Sequence, residues 1–249
     1  MMVKFKKIVQ TLVNLLGYEI SFMDKAIEIE FEEIYKICKN FTATSKERMY
    51  AVYKAIEYII NSKIPGDFVE CGVLKGGSAM VIAHTLIKMK ETNRKIYLYD
   101  TFEGMSKPSD KDRRISDGTS AINKWKKQQK KRYNKWCFVP LSEVKKNLFS
   151  TRYPQKNLIF IKGKVEDTIP KYIPSKIAIL RLDTDWYEST KHELNYLYPL
   201  LIKNGVLIID DYGHWAGSKK AVDEYFTENN ISILLNRIDY GGRIGIKNE

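Results

Sequence analysis

Five short apolar runs, each leading into an acid or a glycine and each too short for a helix, constrain this chain most: Phe68 to Cys71, Ile96 to Tyr99, Leu158 to Ile161, Ile177 to Leu182 and Val206 to Ile209. Their apolar residues fall at successive positions instead of alternating, which is the pattern of a strand covered on both faces, as in a parallel sheet between helices. Segments of helical character lie between them, at about 78–90, 141–149, 187–202 and 217–229. Strand and helix alternate with short loops, so the pattern predicts a doubly wound α/β sheet. Two further apolar segments, Ile231 to Leu235 and Arg243 to Ile246, are expected to close it as an antiparallel pair.

Ahead of the first run the periodicity is helical. Apolar residues recur at Ile8, Leu12, Leu15 and Leu16, and again at Met49, Val52, Ile56, Ile59 and Ile60. Thr44 or Ser45 is a natural N-cap for the second stretch, with Glu47 completing a capping box if Thr44 is the cap. The expected organisation is a helical extension over 1–62 and an α/β domain over 63–249, with an insertion at 103–140 that breaks the β/α rhythm. A structureless loop of that length inside a compact domain is uncommon, so the insertion reads as a partly helical, mobile lid.

Charge is regional. Of the formal net charge of +12, residues 103–152 carry +9, from 14 basic and 5 acidic groups. Basic composition of this kind admits a nucleic-acid partner, but 33 of the 42 basic residues are Lys, which suggests a compositional bias of the source. The lysine run Lys124 to Lys135 reads either as a solvated helix face or as an anion-recognising surface. Cys38, Cys71 and Cys137 are odd in number and scattered, so neither a disulfide framework nor a paired-cysteine metal site is written here. With no run of about 18 apolar residues, and no cleavage site in Met1 to Ile20, a soluble, cytoplasmic protein is expected. A small-molecule or glycan substrate, no nucleic acid and a homo-oligomer, a dimer, complete the expected partners.

The chemistry concentrates at strand ends. Asp67 to Ser78 reads as a strand, a glycine-rich turn and a helix start, with Glu70, Gly72, Gly76 and Ser78 in it. Glycines there let a ligand approach the backbone and the helix N-terminus offers free N–H groups; a tight turn needing positive φ is the plainer alternative. The spacing G-x-x-x-G-G is neither the Rossmann fingerprint nor a P-loop. Glu70 suits a cationic amino group, and Asp100 at the next strand end suits a ribose diol. Together they point to a nucleoside bearing an amino-acid tail. Gly72 is expected to leave room for that ligand.

Asp183 and Asp185 follow one strand, Asp210 and Asp211 the next. Strand C-termini of an open α/β sheet converge on one crevice, so four carboxylates gather there, and a hard divalent cation such as Mg²⁺ resolves their repulsion. Turn and helix capping is the alternative for any one of them. His214 follows the second pair and has a side chain suited to proton transfer near neutrality. His84 and His192 read as structural or surface groups.

The ordered motifs Gly66 to Val73, Tyr99 to Gly104, Lys162 to Pro170, Leu182 to Thr190 and Asp210 to Tyr225 resemble the macrocin O-methyltransferase family over about residues 44–227. The resemblance implies a class I methyltransferase fold with a mostly parallel seven-stranded sheet, a lid over the cofactor, and Mg²⁺- and S-adenosylmethionine-dependent methylation of a sugar hydroxyl. It implies metal ligands Asp183, Asp210 and Asp211 and a general base at Asp185; His214, from its place just after the second acid pair, is expected as a substrate contact or an auxiliary catalytic acid/base. The cofactor is then expected on Glu70, Gly72, Gly76, Ser78, Asp100, Thr101, Gly163, Lys164 and Asp183. The basic lid departs from what a neutral sugar requires, and an acceptor carrying phosphate or a nucleotide would account for it. A methyltransferase of RNA or another polyanion, and a non-catalytic cofactor-binding scaffold, are the competing readings.

Overall fold

The computed structural model describes residues 27–248. The expected helix around Ile8 to Leu16 lies outside them. Chain contacts separate residues 1–33 from a unit of residues 34–249. Helix α1, Ile29–Cys38, runs across that boundary. Helix α2, Lys46–Asn61, belongs to the larger unit, because its face of Met49, Val52, Ile56 and Ile59 is buried there. Its cap is Ser45, whose side chain accepts the Arg48 N–H at 3.2 Å. Thr44, the alternative cap, instead donates its hydroxyl to Asp210.

Seven strands form one sheet among the described residues, in the order β3-β2-β1-β4-β5-β7-β6. They are β1 Asp67–Cys71, β2 Ile96–Asp100, β3 Leu158–Lys162, β4 Ile177–Leu182, β5 Leu201–Ile209, β6 Asn236–Arg237 and β7 Arg243–Ile246. The first five are parallel, and β7 enters antiparallel against β5. This is the class I methyltransferase arrangement. Helices α3 Gly77–Lys88, α4 Ala121–Gln128, α5 Leu141–Ser150, α6 Val165–Thr168, α7 Tyr187–Leu197 and α8 Ala216–Glu228 complete it. One side of the core packs Val69, Leu180, Leu182 and Leu207 of the sheet against Leu194, Leu197, Val222 and Tyr225.

Two boundaries differ from the sequence pattern. Helix α7 stops at Leu197 and the chain passes through a 3₁₀ turn, Tyr198–Leu200, into β5, because Pro199 has no N–H to continue the helix. The expected strand over Ile231 to Leu235 does not form; β6, only two residues long, follows directly at Asn236–Arg237 and pairs with β7. Among the described residues no helix is long and apolar enough to cross a membrane.

The strand order reverses between β1 and β4, which is where an open α/β sheet forms its binding crevice. Register sets what meets there. Cys71 pairs with Leu182, and Leu182 with Ile209, so Gly72, Asp183 and Asp210 leave the sheet at one level. Two residues lower, Glu70 lies beside Arg181.

The insertion is folded. Helix α4 forms within it, and Trp136 packs on Trp186 and Trp215 with ring centroids 5.5 and 6.1 Å away. Asp112, fully buried, fastens the segment: its carboxylate accepts the Tyr187 N–H at 2.8 Å and the Ser109 N–H and hydroxyl at 2.6 and 2.8 Å. Its carbonyl accepts the Ala121 N–H at 3.0 Å. Hydrogen bonds to a charged group contribute about 1.5–3 kcal/mol. Asp112→Ala is therefore expected to lower the melting temperature by roughly 4–10 °C and to open segment 103–140 to limited proteolysis. A melting temperature within about a degree of the wild type, with unchanged proteolysis, would contradict the anchoring role.

Candidate functional site

The site is built around a buried guanidinium. Arg181 occupies β4, its side chain 1% exposed, and a charge so placed must be paired. Its Nη1 donates to Glu70 Oε1 at 2.6 Å, and its Nη2 lies 2.6 Å from Asp210 Oδ1 and 2.9 Å from Asp183 Oδ2. One cation thus ties together the ends of β1, β4 and β5. The second oxygen of Asp210 accepts from Arg48 Nη1, and Arg48 Nε donates to Asp239 at 2.9 Å.

Asp183, Asp210 and Asp211 each offer a carboxylate oxygen, and the three atoms lie within 4.8 Å of one another. Burial pushes the Asp183 and Asp211 carboxyls well above the usual carboxylate range, and neighbouring acids push the same way. Asp185 is raised to about 8, first by burial and then by the charge of Asp183. Its backbone has φ +69°, an uncommon conformation that Asp tolerates better than most residues. Its Oδ1 accepts the Trp215 indole N–H at 2.7 Å, and its own N–H donates to Asp211 at 3.2 Å. Burial, with Arg114 and Arg48 nearby, lowers the pKa of His214, so its imidazole is neutral near pH 7.

A cavity of about 280 Å³ opens at this sheet edge. Its wall includes Gly72, Ser78, Asp100, Thr101, Gly163 and Lys164 from the expected cofactor residues, and all of Asp183, Asp185, Asp210, Asp211 and His214. Asp100 also fixes the glycine turn, accepting the Val73 and Leu74 N–H groups at 2.8 and 3.2 Å.

Two expected cofactor residues do not line the cavity. Glu70 is fully buried and its Oε1 is taken by Arg181 and the Ser78 hydroxyl, so its carboxylate is held beneath the turn; Oε2 is buried without a hydrogen-bond partner. Gly76 serves the backbone: it caps α3 with φ +92°, and a Cβ there would come 2.3 Å from the Leu148 side chain. The reason for Gly72 also changes. A Cβ there would sit 2.0 Å from the Asp183 carbonyl oxygen, so the glycine is required by the crossing of two chain segments.

Sequence reasoning missed Arg181, Arg48, Thr44 and Tyr240, of which the last three line the cavity. An arginine inside the run Ile177 to Leu182 was the available signal, since a central strand cannot bury that charge unpaired. The lysine run takes no part in the cavity wall. Lys126, Lys127, Lys130, Lys131 and Arg132 are exposed, and the Lys124 ammonium lies 3.9 Å from the Trp136 ring centroid.

The model of the family Macrocin-O-methyltransferase (TylF) matches residues 37–244. The chain belongs to the macrocin O-methyltransferase family. Its relatives include demethyldecarbamoylnovobiocin O-methyltransferase of Streptomyces niveus, 31% identical over 196 residues, covering 79% of this chain and 71% of that protein. A tetracenomycin-C rhamnosyl 4'-O-methyltransferase of Streptomyces olivaceus is 30% identical over 81% of this chain and 73% of its own. Among solved structures, the O-methyltransferase NovP superposes with a TM-score of 0.72 at 28% identity, covering 84% of this chain and 83% of its own. The chain is accordingly an S-adenosylmethionine-dependent O-methyltransferase.

One part of the site makes a pH-dependent contribution to stability. Burial alone would raise the Asp239 carboxyl, but the Gly242 and Gly241 N–H groups, the Ser45 hydroxyl and Arg48 outweigh it and hold it at about 2. A depressed folded-state value stabilises above the unfolded value of about 3.9, and the gain is lost as pH falls toward the folded value. Asp239→Asn is expected to cost about 2 kcal/mol in denaturant unfolding at pH 7 and close to nothing near pH 2. An equal cost at both pH values would contradict the assignment.

Proposed function

We propose that this enzyme methylates a hydroxyl of a sugar unit on a small molecule or glycan with the help of a divalent cation, most simply Mg²⁺. The observation that carries the reading is the set of three carboxylate oxygens within 4.8 Å, beside Asp185 on the same cavity wall. The named relatives support the acceptor class: one is named for the 4'-oxygen of a rhamnosyl unit, and another for the 3''-oxygen of mycinamicin III. The donor set fits the ion, because hard oxygen ligands suit Mg²⁺ and three crowded carboxylates favour a shared counter-ion.

When bound, S-adenosylmethionine supplies the electrophilic methyl group, and the cation supplies Lewis acidity toward the acceptor hydroxyl. Asp183, Asp210 and Asp211 would hold the ion. Gly72, Ser78, Asp100, Thr101, Gly163 and Lys164 form the wall proposed for the cofactor. Asp185, in its ionised form, takes the hydroxyl proton as the oxygen bonds to the methyl carbon and the methyl–sulfur bond breaks to release S-adenosylhomocysteine, and Trp215 keeps its carboxylate aimed. His214, neutral and on the same wall, orients the acceptor through a hydrogen bond. The exposed lysine run holds no acceptor phosphate in this reading.

Asp185→Asn is expected to reduce kcat by about 10²- to 10⁴-fold while leaving S-adenosylhomocysteine affinity near that of the wild type. Asp211→Asn should lose roughly a hundredfold or more, and EDTA should abolish turnover of the wild type until Mg²⁺ is restored. Full activity in EDTA would remove the ion from the reaction, and a wild-type kcat for Asp185→Asn would remove the base.

A further inference from the structure

Arg48 stands where it would oppose the proposed ion. It lines the cavity wall, and its Nη1 donates to Asp210 Oδ2 while Arg181 Nη2 holds Asp210 Oδ1 at 2.6 Å. Both oxygens of one of the three grouped carboxylates are therefore committed to guanidinium groups. The two arginines differ in place. Arg181 lies under the sheet ends and also serves Glu70 and Asp183, so its removal would leave several buried acids without a counter-charge. Arg48 comes from α2 and is shared with Asp239, which it meets through Nε at 2.9 and 3.1 Å.

The seat of Arg48 is closely made. Its guanidinium carbon lies 5.3 Å from the Tyr240 ring centroid. A Cβ on Gly241 would come 2.4 Å from Nη2, and one on Gly242 would come 3.2 Å from Nε. The loop at 239–242 is thus shaped around one cation and holds it against Asp210.

Resting on the metal reading above, we infer that Arg48 is a positioning residue that sets the affinity of the site for a divalent cation: it gives Asp210 a partner when no ion is bound and keeps a bound ion exchangeable. Like charges repel strongly at such separations even in a partly polar interior. A guanidinium that merely braced the fold would act in the opposite sense, since its loss would misplace Asp210 and weaken the ion. The sign of the change therefore distinguishes the two roles.

Mn²⁺ titrated into the full-length protein, followed by calorimetry or by the electron paramagnetic resonance of free Mn²⁺, reads affinity without turnover. Arg48→Met keeps the aliphatic stem. Asp210 retains Arg181 and Thr44, and Asp239 retains Ser45, Gly241 and Gly242. This variant is expected to bind Mn²⁺ about tenfold tighter or more, and Arg48→Lys to stay within about threefold of the wild type, because charge is kept. If Arg48→Met does not fold, Asp239→Asn gives the complementary test: with Arg48 left to Asp210 alone, Mn²⁺ should bind about threefold more weakly or worse. Unchanged or weaker binding in a folded Arg48→Met, or unchanged or tighter binding in Asp239→Asn, would overturn the role of Arg48 alone. A wild-type protein that binds no Mn²⁺ would overturn the metal reading and this inference together.

Discussion

Everything at the cavity depends on one buried ion-pair network, Arg181 with Glu70, Asp183 and Asp210. A guanidinium inside a central strand carries a desolvation cost of several kcal/mol that only well-made pairing offsets. Three separate strand ends supply that pairing here, at 2.6 to 2.9 Å. The network is weak evidence for extra stability, but it fixes geometry. It holds Asp183 and Asp210 close enough for Asp211 to join them, at a place where the sheet topology already opens a crevice.

The remaining parts brace the same place. Gly72 lets the turn after β1 cross the Asp183 carbonyl, and Asp100 stitches that turn to the end of β2. Asp185 takes its left-handed backbone where Trp215 and Asp211 hold it, and the Trp136, Trp186 and Trp215 rings join the insertion to that loop. The side chains nearest the proposed chemistry are thus fixed by backbone crossings and packed rings, which limits the reorganisation that methyl transfer would need.

The sequence made the sheet legible because buried parallel strands leave continuous apolar runs, and all five of those runs became strands. It made the acids legible because carboxylates after such runs must converge at one sheet edge. It did not show how Glu70 is held: that carboxylate is paired beneath the turn with Arg181, which lies in a run that seems apolar until the charge is counted. Arg48, Thr44 and Tyr240 were illegible for another reason: they reach the cavity from segments far away in the chain, and only tertiary packing brings them to Asp210 and its surroundings. The basic run drew attention by charge alone, yet its side chains are exposed, both in helix α4 and in the loop that follows it.

In the reading proposed above, the three carboxylates gathered by Arg181 and the strand ends form a cation site on the cavity wall. The most direct measurement is anomalous diffraction from a crystal of this protein grown with Mn²⁺ and S-adenosylhomocysteine. The proposed site predicts one manganese peak at about 2–2.3 Å from oxygens of Asp183, Asp210 and Asp211, with S-adenosylhomocysteine along Gly72, Asp100 and Lys164. An occupied cofactor cleft with no manganese at those carboxylates, or manganese held elsewhere, would contradict it.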